Sequence, residues 1–241
     1  AMLLAEADWP HINALRDKLD GRSSLSVEDA ARHFTSSFHG AFPSIALARL
    51  FIVMPFAKLA APEKAFAMKV AGIRAKVMGH TPVLTLLGTA GVQREWNDRK
   101  RSAGHLAIPL VDRTFVMEAP MIAKLLADLH VDLSVLDDTF ATQTSPMMGS
   151  DSGKFYVDDA STAVDARGRL VIPSREFVRT HGVKTVFGMG GSYYDGTLAV
   201  AIFFTTEKLE RLVADRFGSF ISTFKSRTTR LQQAGTVFDD A

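Results

Sequence analysis

The stretch VKTVFGMGGSYYDGTLAVAIFFTT, residues 183–206, constrains the fold more than any other part of the chain. Two apolar runs flank Asp195-Gly196, a dipeptide suited to the left-handed turn of a β-hairpin. In the second run Leu198, Val200, Ile202 and Phe204 alternate with Ala199, Ala201 and Phe203. This pattern reads as a β-hairpin in the core of a sheet, with the smaller residues on the face a helix covers.

The neighbouring segments supply the rest of an α+β domain. Residues 2–20 have helical spacing interrupted at Pro10, and Ser26 caps a helix running to about His39. SIALARLFIVMP reads as a buried strand bounded by prolines, and residues 61–79 as a helix with Pro62 in its first turn and Gly79 beyond its end. TPVLTLLGTAG and HLAIPLV are strand-like, and Met121, Ile122, Leu125, Leu126 and Leu129 share one helical face. KFYVDDA and RLVIPS read as strands, Ser174 starts a short helix toward Gly182, and one long helix spans Thr206 to about Leu231. Runs of strands and helices without strict alternation predict an antiparallel sheet flanked by helices.

Composition removes several function classes. There are no cysteines among 241 residues, which excludes disulfides, thiolate nucleophiles and zinc-thiolate sites. Lys and Arg total 28 against 26 acidic residues, a net charge of +2 with no basic stripe, so no nucleic-acid partner is expected. Lys225, Arg227 and Arg230 suit the negative end of the last helix. The run IALARLFIVMPFAKLAA is interrupted by Arg49, Pro55 and Lys58, so no membrane insertion is expected. The N-terminal residues lack a signal-peptide pattern, and a cytoplasmic protein is the expectation.

VLTLLGTAG with GHLAIPL, the PMI helix start, and GVKTVFGMGG turning into DGTLAVAIFFT before a helix with Phe217 together resemble a GAF domain, with the PAS fold as the alternative. The resemblance covers about residues 26–231, leaving 1–25 as a helical extension and 232–241 as a tail. It implies a sensory domain of bacterial signal transduction that binds a small molecule, forms a homodimer, and relays ligand state through its C-terminal helix to an output domain or partner. Members that attach bilin through cysteine, or reduce methionine sulfoxide with cysteines, are excluded. The Asn-Lys…Phe…Asp-Glu signature of cyclic-nucleotide-binding members is absent.

The candidate site centres on EWNDRKRSAGH, residues 95–105. Trp96 offers a stacking wall, Arg99 and Arg101 offer forks for a carboxylate or phosphate, and Asn97 and His105 add polar contacts. The competing reading is a surface loop whose arginines pair with Asp98 and whose Trp96 caps the core. Phe155, Tyr156 and Phe187 are candidate pocket walls, and the polar, aperiodic stretch 137–154 is a second ligand loop. The seven histidines show no metal-ligand spacing, so no metal site is expected. The cofactor stays unknown; haem needs only one axial histidine, with His105 and His130 the positions to test.

GSDSG at 149–153 has Asp151 where a nucleophile elbow has serine, and GMGG at 188–191 leads into a hairpin instead of a helix; both read as turn chemistry. Asp158 and Asp159 are strand neighbours pointing to opposite faces, and Asp165 stands apart, which disfavours joint acid-base work. No residue is nominated as catalytic. Two other classes compete with the sensor: a hydrolase-type α+β enzyme using Asp and His, and a structural dimerisation module.

Overall fold

The computed structural model describes residues 2–73, 75–102, 104–136 and 153–239. The chain forms α1 (Trp9–Asp20), α2 (Val27–Ala41), β1 (Ile45–Pro55), α3 (Ala61–Ala71), β2 (Pro82–Gly91), β3 (Ala107–Pro109), α4 (Arg113–Met117) and α5 (Pro120–Asp128). It continues through β4 (Gly153–Val157), α6 (Arg175–Thr180), β5 (Thr185–Ser192), β6 (Leu198–Thr205), α7 (Arg211–Asp215) and α8 (Phe220–Gln233). One sheet of order β3-β2-β1-β6-β5-β4 results, and every adjacent pair is antiparallel.

Local chemistry sets the helix ends. Asp8 caps α1 by accepting the His11 N–H, and Pro10 sits in the first turn, where its missing donor is no loss. Pro10 therefore starts the helix instead of interrupting it. The Ser26 hydroxyl accepts the Asp29 N–H at 2.9 Å and starts α2. Helix α3 stops at Gly72, whose φ of +67° is open to glycine, well before Gly79. RLVIPS forms no strand; Leu170 makes an isolated bridge to Val164. The predicted closing helix is broken into α7 and α8, with Phe217, Gly218 and Phe220 donating to the carbonyls of Ala214, Asp215 and Phe217. This tight turn redirects the chain so that Phe217 and Phe220 are both buried.

The sheet carries a core on each face. On one face, α1, α2 and α8 cover Ala48, Leu50, Ile52, Phe187, Ala199, Ala201 and Phe203. Phe38 lies 4.6 Å from Phe203 and 4.9 Å from both Phe34 and Phe220, ring centroid to centroid. Clustered rings of this kind stabilise by area and by tilted or edge contacts. Leu4, Ala7, Ile12, Leu15 and Leu19 belong to the same core. On the other face, Phe51, Val53, Leu84, Val200, Ile202 and Phe204 meet Leu125, Leu126 and Leu129 of the α5 region. The alternation read in residues 198–204 therefore divides the two cores.

One contact is unusually close. A Cβ built on Gly88 of β2 would lie 2.2 Å from the Ala31 carbonyl oxygen, so the backbone of α2 rests directly on that strand. No helix among the described residues is long and apolar enough to cross a membrane.

Candidate functional site

Between the second face of the sheet and the segments 94–105 and 113–125 lies a cavity of about 690 Å³. Its floor is Leu47, Phe51 and Leu84 with Ile202 and Phe204 of β6, and its walls include Ile122, Leu125 and Phe177. Polar groups are few: Arg49, Glu95, Arg101, Ser102, His105, Glu118 and Ser174. A mostly apolar concavity with a few convergent polar groups has the makeup of a small-molecule site.

The loop after β2 is built around Asn97 and Trp96. The Asn97 Oδ1 accepts from Gly91 N–H at 3.1 Å, and its Nδ2 donates to the Gly91 and Gln93 carbonyls, each at 3.0 Å. This side chain continues the strand's hydrogen bonding and closes the loop. The Thr89 hydroxyl donates to the Trp96 carbonyl at 2.8 Å. Gly91 leaves room for the indole, since a Cβ there would meet the Trp96 ring at 2.8 Å. Phe177 and His181 pack against that ring with centroids 5.5 and 4.6 Å away.

Arg99 points to the other side of the loop. Its Nε and Nη2 donate to Glu28 at 2.6 and 2.8 Å, and its Nη1 donates to Glu63 at 2.6 Å. Phe238 covers the guanidinium at 5.2 Å. Burial alone would lower the Arg99 pKa, but the bonds to Glu28 and Glu63 prevail and hold it above its ordinary value. Arg99 thus ties the loop to α2 and α3.

Of the predicted site residues, Trp96, Arg101 and His105 line the cavity. Arg101 is exposed and lies 3.6 Å from Asp98. Asn97 is occupied by loop backbone and Arg99 by its carboxylates, so neither faces the cavity. Phe155 is buried in the core beside it, and Phe187 lies on the opposite face of the sheet, stacked on Phe203 at 5.1 Å. Tyr156 donates to the Leu209 carbonyl at 2.6 Å, also away from the cavity. The second predicted loop, with the GSDSG motif, lies almost wholly outside the described residues. His130 is exposed at the end of α5, with φ of 59° and Nδ1 3.1 Å from the Asp128 carbonyl. Asp159 and Asp165 accept bonds from residues that follow them, Ser161 and Arg169, and shape turns.

Arg49 is the residue that sequence reading missed. It sits midway along β1, paired with Thr89 and Ile202, and faces the cavity. Its Nε is fully buried without a hydrogen-bond partner among the described residues, and the same holds for the Ser102 hydroxyl. Burial lowers the Arg49 pKa to about 10. The His105 pKa is pushed down to about 4, first by burial and then by the Arg49 charge. His105 is exposed by accessible area, and the crowding that lowers its pKa comes from the protein atoms around it on the concave wall. It is neutral at physiological pH. The visible signal was a lone charge inside an apolar strand.

No protein-family model matches the chain, and no curated protein matches it. Solved structures supply the likeness. The chain is similar to the GAF domain from Acinetobacter phosphoenolpyruvate-protein phosphotransferase, with a TM-score of 0.50 and 11% identity over 98% of this chain and 100% of that one. It is similar also to the phycocyanobilin-bound GAF domain from a cyanobacterial phytochrome, with a TM-score of 0.50 and 11% identity over 92% and 96% of the two chains. At that identity the shared property is the fold, which is GAF-like.

Proposed function

We propose that this GAF-like chain is a sensory domain that binds a small molecule in the cavity between the sheet and the 94–105 loop. The cavity carries the reading: about 690 Å³, walled by apolar side chains, and opening beside a loop that also reaches the opposite side of the domain. Trp96, Arg101 and His105 are the loop's ligand contacts in this reading.

The relay is supported by the same loop. Trp96 lines the cavity, while Arg99 grips Glu28 in the first turn of α2. The Val27 and Glu28 N–H groups donate to the Thr236 and Val237 carbonyls at 3.1 and 2.9 Å. Ligand-dependent movement of the loop thereby reaches the segment that follows α8, and from there an output domain or partner of a cytoplasmic, bacterial signalling system. Residues 26–231 form the sensor in this scheme, with 1–25 as a helical extension, 232–241 as a tail and a homodimer formed through the terminal helices.

A hydrolase reading finds less support. His105 has no hydrogen-bonded carboxylate among the described residues, and the Asp8–His11 contact at 2.5 Å is exposed at the start of α1. Native mass spectrometry of freshly purified protein, joined to an absorption spectrum, tests the sensory reading. The expected result is a dimer carrying a retained small mass, with a visible band if the ligand is haem. A chain that retains nothing and whose Trp96 fluorescence no small molecule alters would refute it.

A further inference from the structure

Arg49 stands where its charge is expensive to keep. It interrupts an otherwise apolar strand, and its guanidinium, with five N–H donors, makes no hydrogen bond or ion pair among the described residues. The residue is partly buried and its Nε fully so, and a cation solvated this poorly destabilises a fold unless something compensates it. The two acidic side chains on the cavity wall do not. Glu118 lies 3.3 Å from Arg167 and 3.6 Å from Arg169, and Glu95 forms no ion pair with Arg49. The Ser102 hydroxyl, on the loop side of the same cavity, is a second polar group with no partner among the described residues.

What fits such a group is set by geometry. A guanidinium presents two parallel N–H bonds that match the two oxygens of a carboxylate. A polyphosphate needs several cations, whereas the other arginine of this cavity, Arg101, is exposed and lies 3.6 Å from Asp98, and the floor is phenylalanine and aliphatic side chain. We propose that the ligand is a small organic monocarboxylate, its carboxylate bound by Arg49 and Ser102 and its apolar body lying along Phe51, Ile202 and Phe204. This rests on the sensory reading and names the chemical class of its ligand.

The test uses octanoate, octanamide and octyl phosphate as probes on the Trp9→Phe variant, which leaves Trp96 as the one tryptophan. Octanoate is expected to quench or shift Trp96 emission and to bind about tenfold to a hundredfold tighter than octanamide, the range of a charge-assisted bond. It is also expected to move the Arg49 Nε–H resonance, assigned by its disappearance in Arg49→Met. In Arg49→Met the preference for octanoate vanishes while the melting temperature holds or rises, because a buried unpaired charge has gone. Should Arg49→Met fail to fold, Arg49→Lys assigns the Nε resonance by its loss, and the response of that resonance in the unsubstituted protein decides. Tighter binding of octyl phosphate overturns the carboxylate class. Equal binding of octanoate and octanamide overturns the anion and leaves the sensory reading standing. An Arg49 resonance unmoved by saturating octanoate, with no probe bound, overturns the proposal.

Discussion

Replacing Arg99 with methionine tests how the loop is held. The substitution removes three short hydrogen bonds, of 2.6, 2.8 and 2.6 Å, and leaves the carboxylates of Glu28 and Glu63 facing each other without their shared cation. Those side chains are 8% and 2% exposed, so water cannot replace the lost partner. Breaking a buried ion pair from one side destabilises by about 3–5 kcal/mol, a large share of the roughly 5–15 kcal/mol that holds a domain together. For a chain of this size the melting temperature should fall by about 6–20 °C. Thermal and urea unfolding followed by circular dichroism measures it. Lysine at 99 should not restore the loss, because an ammonium cannot engage Glu28 with two parallel bonds while reaching Glu63. The triple variant Arg99→Met, Glu28→Leu, Glu63→Leu should recover most of it, since an apolar trio leaves no charge buried. A single variant within about 1 kcal/mol of the parent, or a triple variant no better than the single one, would refute the reasoning.

Other perturbations are equally direct. Gly88→Ala should destabilise by about 3 kcal/mol or more by forcing α2 off β2, as read from urea midpoints. His105, followed by NMR, should titrate near pH 4. Because its folded pKa lies below that of an unfolded histidine, stability should fall as pH drops from about 6.5 toward 4, and His105→Gln should flatten that slope. Tyr193→Phe removes the 2.7 Å contact with the Thr228 hydroxyl and should destabilise by about 1 kcal/mol, measured calorimetrically, since Thr228 keeps its bond to the Phe224 carbonyl.

The architecture was legible where one physical signal sufficed. Alternation in residues 198–204 separated the two faces of β6, and Ser26 followed by Glu28 and Asp29 marked the start of α2. Length was harder to read. Apolar spacing runs through Phe217 and Phe220 as it would in one helix, and only packing reveals the turn at Gly218. Gly72 ended α3 because its backbone sign allowed it, a property that Gly79 equally offered on paper. The lining of the candidate cavity was half visible. Trp96, Arg101 and His105 announced themselves as a polar and aromatic cluster in a loop. Arg99 looked identical to Arg101, and its partners, 71 and 36 residues away in sequence, are brought to it only by the fold. Arg49 looked like a flaw in an apolar run.

The contact at Gly88 also has a mechanical side. Where two elements meet through side chains, rotamers flex and take up slack between them. Where the Ala31 carbonyl rests on bare strand, there is no such play. Leu50, next in sequence to Arg49, is the residue paired with Gly88. The strand that carries Arg49 thus lies hydrogen-bonded beside the point where α2 rests on the sheet.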